Sequence, residues 1–293
     1  MYTVNDYCRE NFGEKLYKIS LDGGMTCPNR DGTCGNRGCI FCSGGGSGDF
    51  TPDPEMSVEE QIEEAKKRVS RKFKGERYIA YFQAFTNTYA PAEKLRELFT
   101  RVLVRDDIGV LSVATRPDCL GEDVIELLKE LNTVKPVWVE LGLQTTKEES
   151  VKYIRRGYEN DVYYKAVSEL KKTGVHIITH VILGLPGETE EDMLRTVKHV
   201  VEAGSDGIKL QLLHVLEGTD LAKDYRKGLF RELRLEEYAQ ILKKCLGIIP
   251  ERMVVHRITG DGPKSLLIAP KWSADKKRVL NFLNRELKQV EKL

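Results

Sequence analysis

The sequence predicts an α/β fold whose parallel sheet closes into a complete or partial barrel, and three observations carry that reading. Short β-rich apolar runs alternate with longer helical patterns along most of the 293 residues. The runs are continuously apolar, as in strands buried on both faces of a helix-covered parallel sheet. Six or seven such units follow in series without a break in composition, which favours a barrel over a doubly wound sheet.

In chain order, the first predicted strand is "LYKISL" (16–21), followed by the loop "CPNRDGTCGNRGCIFC" (27–42). A helix over about 57–72 starts at Ser57, whose capping partner is Glu60. Strand "YIAYFQAF" (78–85), helix 91–104, strand "GVLSVAT" (109–115), helix 121–132 and strand "VWVELGL" (137–143) come next. Residues 147–172 read as helix in two pieces before strand "HIITHVILG" (176–184). Thr189 with Asp192 opens a helix over 189–203, and "GIKLQLLHV" (207–215) is the sixth strand. A helix over 235–247, a seventh strand "RMVVHRI" (252–258) and a helix over 273–291 complete the pattern. With no linker in sight, one domain over 1–293 is expected, with a core of about 15–220 and a C-terminal extension of about 221–293.

At 41% hydrophobic the chain can bury a full core without staples. Its seven cysteines, an odd number, fit a reducing compartment in which clustered thiols bind metal, so a cytoplasmic location is expected. There is no signal-type apolar region, and no apolar run nears the roughly 20 residues that span a bilayer. Net charge is +1, which excludes a chain polarised as a whole for a polyanion. Two local runs differ. "KKRVSRKFKGER" (66–77) sets seven basic residues against Glu76, a sum of +6, and 264–293 sets eight Lys/Arg against Asp275, Glu286 and Glu291, a sum of +5. They are either solvated helix faces or a path for RNA phosphates.

The cysteine loop spaces Cys27, Cys34, Cys39 and Cys42 by six, four and two residues. Four thiolates can close a tetrahedral zinc site, although only Cys39 and Cys42 form the tight pair that such sites repeat. Alternatively, three of them hold an iron–sulfur cluster and leave one iron open. The loop follows the first strand, at the end of a barrel where chemistry gathers, and an open metal gains more there than a closed one. The adjacent "GGGSG" (44–48) is a weak phosphate cradle, because no Lys-Ser/Thr follows it. On the fourth strand Glu140 and Gln144 alternate with Leu141 and Leu143, so both carboxylate and carboxamide can face a barrel interior.

A cysteine loop ending in "CIFC" after a short first strand, within alternating β/α units, resembles the radical S-adenosylmethionine (SAM) superfamily. The usual C-x3-C-x2-C is replaced here by C-x11-C-x2-C, formed by Cys27, Cys39 and Cys42. Together with "YFQAFTNTYAP", "VATRPDCL", "ELGLQT", "HVILGLPGET", "LLHVLEGTDL" and "VHRITGDGP", the loop resembles the YhcC-like branch, related to the catalytic subunit of elongator, over about 15–280.

The resemblance implies a partial (β/α)6-type TIM barrel with a C-terminal β/α extension, a 4Fe-4S cluster on Cys27, Cys39 and Cys42, and S-adenosyl-L-methionine on the open iron. Cys34 is then a bystander. It also implies that Gln83, Thr86 and Asn87 meet the methionine ammonium and that Arg156 meets its carboxylate, with Arg155 as the neighbouring alternative. Glu140 and Gln144 would face the ribose or sulfonium, and Phe41 and Ile182 the adenine. Thr115 and Arg116 read equally as a site or as a turn with an Arg–Asp pair. His180 and His214 read as core histidines, Tyr81, Tyr89, Tyr163 and Tyr164 as packing, and Cys119 as structural. The implied activity is modification of a wobble-uridine side chain in tRNA, of the aminomethyl type, with an electron donor such as flavodoxin or ferredoxin and no membrane. No acetyltransferase domain is expected. A radical enzyme acting on a small molecule or peptide, and a non-catalytic zinc module, are the alternatives.

Overall fold

The computed structural model describes residues 1–288. Its strands are β1 (Tyr17–Leu21), β2 (Tyr78–Phe82), β3 (Ile108–Thr115), β4 (Val137–Gln144), β5 (His176–Leu183), β6 (Gly207–Leu212), β7 (Val215–Leu216), β8 (Val254–Arg257) and β9 (Leu267–Ala269). Seven form one parallel sheet in the order β1-β2-β3-β4-β5-β6-β8, and β7 pairs antiparallel with β9. Lys18 on β1 touches Glu140 on β4, a gap of about 14 Å if the sheet were flat. The sheet is therefore curled into a half-barrel with β1 and β8 as its edges.

Among the described residues ten α-helices follow one another: α1 (Val4–Phe12), α2 (Val58–Val69), α3 (Ala92–Leu103), α4 (Glu122–Asn132), α5 (Glu148–Tyr153), α6 (Asn160–Lys171), α7 (Glu190–Glu202), α8 (Asp220–Arg226), α9 (Leu235–Ile248) and α10 (Lys276–Lys288). Ser57 and Thr189 make the expected capping boxes with Glu60 and Asp192. The predicted helical stretch 147–172 splits where Arg155 (φ 57°) and Gly157 (φ 84°) turn left-handed. The last predicted helix begins at Lys276, and its residues 289–291 lie outside the described residues. No helix among the described residues is long and apolar enough to cross a membrane.

Alternation along the strands sorts the side chains. Ile19, Phe82, Leu111, Val113, Leu141, Val181 and Leu210 face outward into the helix layer. Leu16, Ile79, Val110, Trp138 and Ile178 face inward and pack on Cys8, Val4, Tyr7 and Phe12, so α1 plugs the lower end of the half-barrel. The first residues are tied to the far edge, since Val255 N donates to Tyr2 O at 2.8 Å.

Three features went unread in the sequence. The segment "VNDYCRENF" of α1 carries a short apolar stripe, Val4, Tyr7, Cys8 and Phe12, that went unread. Helix α8 spans seven residues, and the β7–β9 ribbon needs a long-range partner. Three predicted strands also overran, the seventh holding only Val254–Arg257 of 252–258. Phe85 (φ 57°) turns the chain out of β2 after Phe82, and β6 stops at Leu212 before the separate β7.

Candidate metal and cofactor site

At the carboxyl ends of the strands a cavity of about 870 Å³ extends down into the half-barrel and along its open side. Cys27, Cys39 and Cys42 line it, as do Phe41, Gln83, Thr86, Glu140, Gln144, Arg156 and Ile182. Asn87 does not, and Cys34 is exposed outside it. Ten of the eleven sequence-predicted site residues therefore share one space.

The cysteine loop is shaped by its own backbone. Arg30 N and Asp31 N donate to Cys27 O at 2.8 and 3.2 Å, Cys34 N to Pro28 O at 2.8 Å, and Gly38 N to Asn29 O at 2.7 Å. Gly38 takes φ 72°, where a Cβ would press on the Arg30 guanidinium. Cys42 N donates to Cys39 O at 3.0 Å, closing the Cys39–Cys42 turn. Around the sulfurs stand donors. Asn29 Nδ2 lies 3.5 Å from Cys39 Sγ, Arg30 bonds the Cys42 and Ser43 carbonyls, and Arg116 lines the same wall.

Burial, with Cys42 and Cys27 close by, pushes the Cys39 thiol up to about 12, and burial raises Cys42 as well. Cys39 and Cys42 thus hold their protons until a cation displaces them. Among the described residues no three His, Cys, Asp or Glu side chains converge on a single ion. Three thiols lining one cavity would hold a cluster of several irons, whereas a closed tetrahedral zinc needs a fourth ligand, and Cys34 stands outside. Cys119 Sγ lies 3.9 Å from Asp118 Oδ1. Burial, and then Asp118, push its thiol up to about 12, and it is no activated nucleophile.

Left-handed backbone gathers at the cavity. Phe85 (φ 57°) and Gln144 (φ 64°) line it, and Arg155 (φ 57°) adjoins it, a conformation that costs a non-glycine residue on the order of 1–3 kcal/mol. Phe41 and Ile182 lean on one apolar patch with Ile40, Ile154 and Leu213, a slot of the kind a flat base fills. Thr86 N donates to Thr26 O at 3.2 Å, which fixes the end of β2 beside the cysteine loop. Asn87 ties strand ends together instead, its Nδ2 donating to Ala84 O and Ala114 O at 3.0 Å each.

Arg156 is almost wholly buried, at 1% exposure. Its Nε and Nη2 donate to Tyr158 O at 3.0 and 2.8 Å, Nη1 to Leu143 O and Thr145 O at 3.0 and 2.9 Å, and Nη2 also to Asn160 Oδ1 at 2.9 Å. All five N–H groups are engaged, so binding a ligand carboxylate would require releasing some of them. Arg116 makes the Arg–Asp pair, with Nε and Nη2 at 2.9 and 2.7 Å from Asp118, and its Nη1 reaches Arg156 O at 2.9 Å.

Beneath lies a polar layer that the sequence reading largely missed. Glu140, 1% exposed, accepts from Lys18 at 2.6 Å, Ser112 Oγ at 2.7 Å, His180 Nε2 at 2.6 Å and Lys209. Burial alone would raise its carboxyl, yet Lys18, Lys209 and His180 outweigh that and hold it well below the usual range. Burial pushes Lys209 well below an ordinary lysine, and burial with Lys209 brings His180 down to about 4. His180 therefore faces the cavity as a neutral partner of Glu140 at ordinary pH. Lysine within "YKISL" and "GIKLQL" was the available signal, because a lysine in a strand covered on both faces has no other place than the interior.

Comparison with known proteins agrees with this geometry. The model of the Radical SAM superfamily matches residues 32–200, and that of the Radical SAM C-terminal domain matches 205–289. The protein YtqA of Bacillus subtilis is 48% identical over 286 residues, covering 98% of this chain and 89% of that protein. Protein YhcC of Escherichia coli is 36% identical, covering 95% and 89%. A tRNA uridine(34) acetyltransferase of Methanocaldococcus jannaschii is 29% identical over 161 residues, 54% of this chain and 29% of that protein. The structure of Elp3 from Methanocaldococcus infernus superposes with TM-score 0.66 at 20% identity, over 86% of this chain and 58% of that one, which shows a shared fold.

Proposed function

Because the chain belongs to the radical SAM superfamily, whose enzymes use a 4Fe-4S cluster and SAM, we propose that it modifies the side chain of a wobble uridine in tRNA. Cys27, Cys39 and Cys42 would hold the cluster. The apolar slot of Phe41 and Ile182 would take the adenine, and Gln83, Thr86, Glu140 and Gln144 the polar parts of SAM. When bound, the cluster and SAM supply a 5′-deoxyadenosyl radical that abstracts a hydrogen atom. The half-barrel contributes orientation and exclusion of water around the reacting centre.

The observation that carries the RNA reading is where the two basic runs stand. Arg68 and Lys72 from the first and Lys276 from the second line the same cavity as the three cysteines, joined by Lys15, Arg30 and Arg257. Arg68 is paired with Glu64 and Lys276 with Asp261, and cations along the open side of the cavity that holds the cysteines would serve a phosphate chain. The likeness to a protein named for tRNA uridine(34) supports the same substrate class. Acetyl transfer is not carried over, since the likeness spans 29% of that protein. A reducing, cytoplasmic setting fits the odd cysteine count, and the superfamily's chemistry calls for an electron donor such as flavodoxin or ferredoxin.

Mass spectrometry of tRNA nucleosides from a strain lacking the protein tests the proposal. An altered wobble uridine supports it, and an unchanged profile sinks it. The cavity volume, within the range of about 300–1,000 Å³ that small ligands occupy, then favours a small-molecule substrate. Anaerobic purification separates both from a zinc module, through iron and sulfide in a brown protein.

A further inference from the structure

Asn29 is 4% exposed and sits inside the cysteine loop. Its Nδ2 serves three acceptors with two N–H groups, Arg155 O at 2.7 Å, Arg156 O at 3.1 Å and Cys39 Sγ at 3.5 Å, so one hydrogen is shared. The turn that receives it is built to the carboxamide. Gly157 runs at φ 84°, and a Cβ there would stand 2.5 Å from Asn29 Oδ1. Arg156 O accepts Arg116 Nη1 at 2.9 Å as well, so the carbonyl that steadies Asn29 is itself held. One carboxamide thus joins a cluster cysteine to the loop following β4, which carries Arg156. The aspect of Asn29 that faces sulfur is a donor, while Arg155 O, 3.8 Å from the same sulfur, is an acceptor that opposes negative charge there.

An N–H aimed at a thiolate sulfur stabilises the more negative, reduced form of an iron–sulfur cluster, and such bonds are among the determinants of its potential. We propose that Asn29 is a positioning residue that donates to the Cys39 sulfur and thereby sets how readily the cluster accepts its electron. This rests on the cluster assignment above. It adds a role for Asn29 that its place in the loop motif does not state.

The test is a potentiometric titration of the anaerobically reconstituted full chain, with iron and sulfide counted for every variant. Asn29→Asp keeps the shape, cannot donate when ionised and places a charge by the sulfur. It is expected to make reduction at least tenfold harder, a midpoint about 59 mV more negative for one electron. Asn36→Asp makes the same charge change at an exposed position of the same loop and is expected to leave the equilibrium within threefold. Asn29→Asp matching wild type, or matching Asn36→Asp, overturns the proposal. Should Asn29→Asp fail to load iron, Asn29→Ser and Asn29→Ala carry the test. A midpoint ordered wild type, Ser, Ala towards more negative values supports it, and no shift in either overturns it. A wild-type chain without iron and sulfide would instead sink the cluster assignment itself.

Discussion

The Lys18 ammonium on β1 stands 2.6 Å from Oε1 of Glu140 on β4, two strands beyond its own neighbour in the sheet. The same carboxylate also takes Lys209, His180 and Ser112, so one anion neutralises the polar layer of the interior. Glu140→Gln leaves two lysines facing each other with no counter-charge and is expected to cost about 3–5 kcal/mol of stability. Urea unfolding reads this directly. The pair Glu140→Leu with Lys209→Met is expected to recover part of the loss, and an unchanged urea midpoint for Glu140→Gln would mean the layer is not held by charge.

Cys27→Ala, Cys39→Ala and Cys42→Ala are each expected to abolish the brown chromophore and the bound iron and sulfide. Cys34→Ala is expected to retain all three, because Cys34 is exposed and away from the cavity. Loss of iron from Cys34→Ala equal to that from the other variants would make it a ligand.

Acid is expected to weaken the fold from about pH 6.5 downward. Burial lowers His180 and His214 to about 4 and His256 well below 6.5. The unfolded chain therefore takes up these protons first as pH falls. Stability drops between 6.5 and about 4, on the order of 3 kcal/mol for each of His180 and His214 at full effect. Glu140, depressed in the fold, contributes above about 4.5 and is lost below it, adding to the same trend. Urea midpoints at pH 7 and pH 5 measure the fall, and His214→Gln is expected to make it shallower.

If tRNA crosses the basic rim, Arg68→Glu and Lys72→Glu weaken binding of every tRNA alike. Removing the two phosphate contacts also lowers the slope of log K against log salt by about 2. Filter binding at several salt concentrations checks both. A slope equal to wild type would place the RNA elsewhere.

The strands were legible because their apolar runs are long and covered on both faces, and Ser57 and Thr189 marked helix starts locally. Helix α1 escaped although Val4, Tyr7, Cys8 and Phe12 stand at helical spacing, because the stripe is only nine residues long and precedes the first strand. Within the site, spacing and family likeness pointed to the cysteines, and the fold leaves Cys34 outside the cavity. Roles within the second layer were less legible. Arg156 reads as an anion clamp in sequence, yet backbone carbonyls and Asn160 occupy all its donors, and Asn87 bridges strand ends. Such roles depend on where carbonyls fall after the chain turns at Arg155 and Gly157. Lys18 and Lys209 drew no role from the sequence, and strand curvature sets them opposite Glu140.

Val255 N finds its acceptor in Tyr2 O, so the α1 plug is fastened to the far edge strand by a contact between residues 2 and 255. Closing a loop of that length costs more chain entropy than any pairing of neighbouring strands. Freeing that contact is expected to loosen the underside of the barrel while the cysteine loop at its other end keeps its shape.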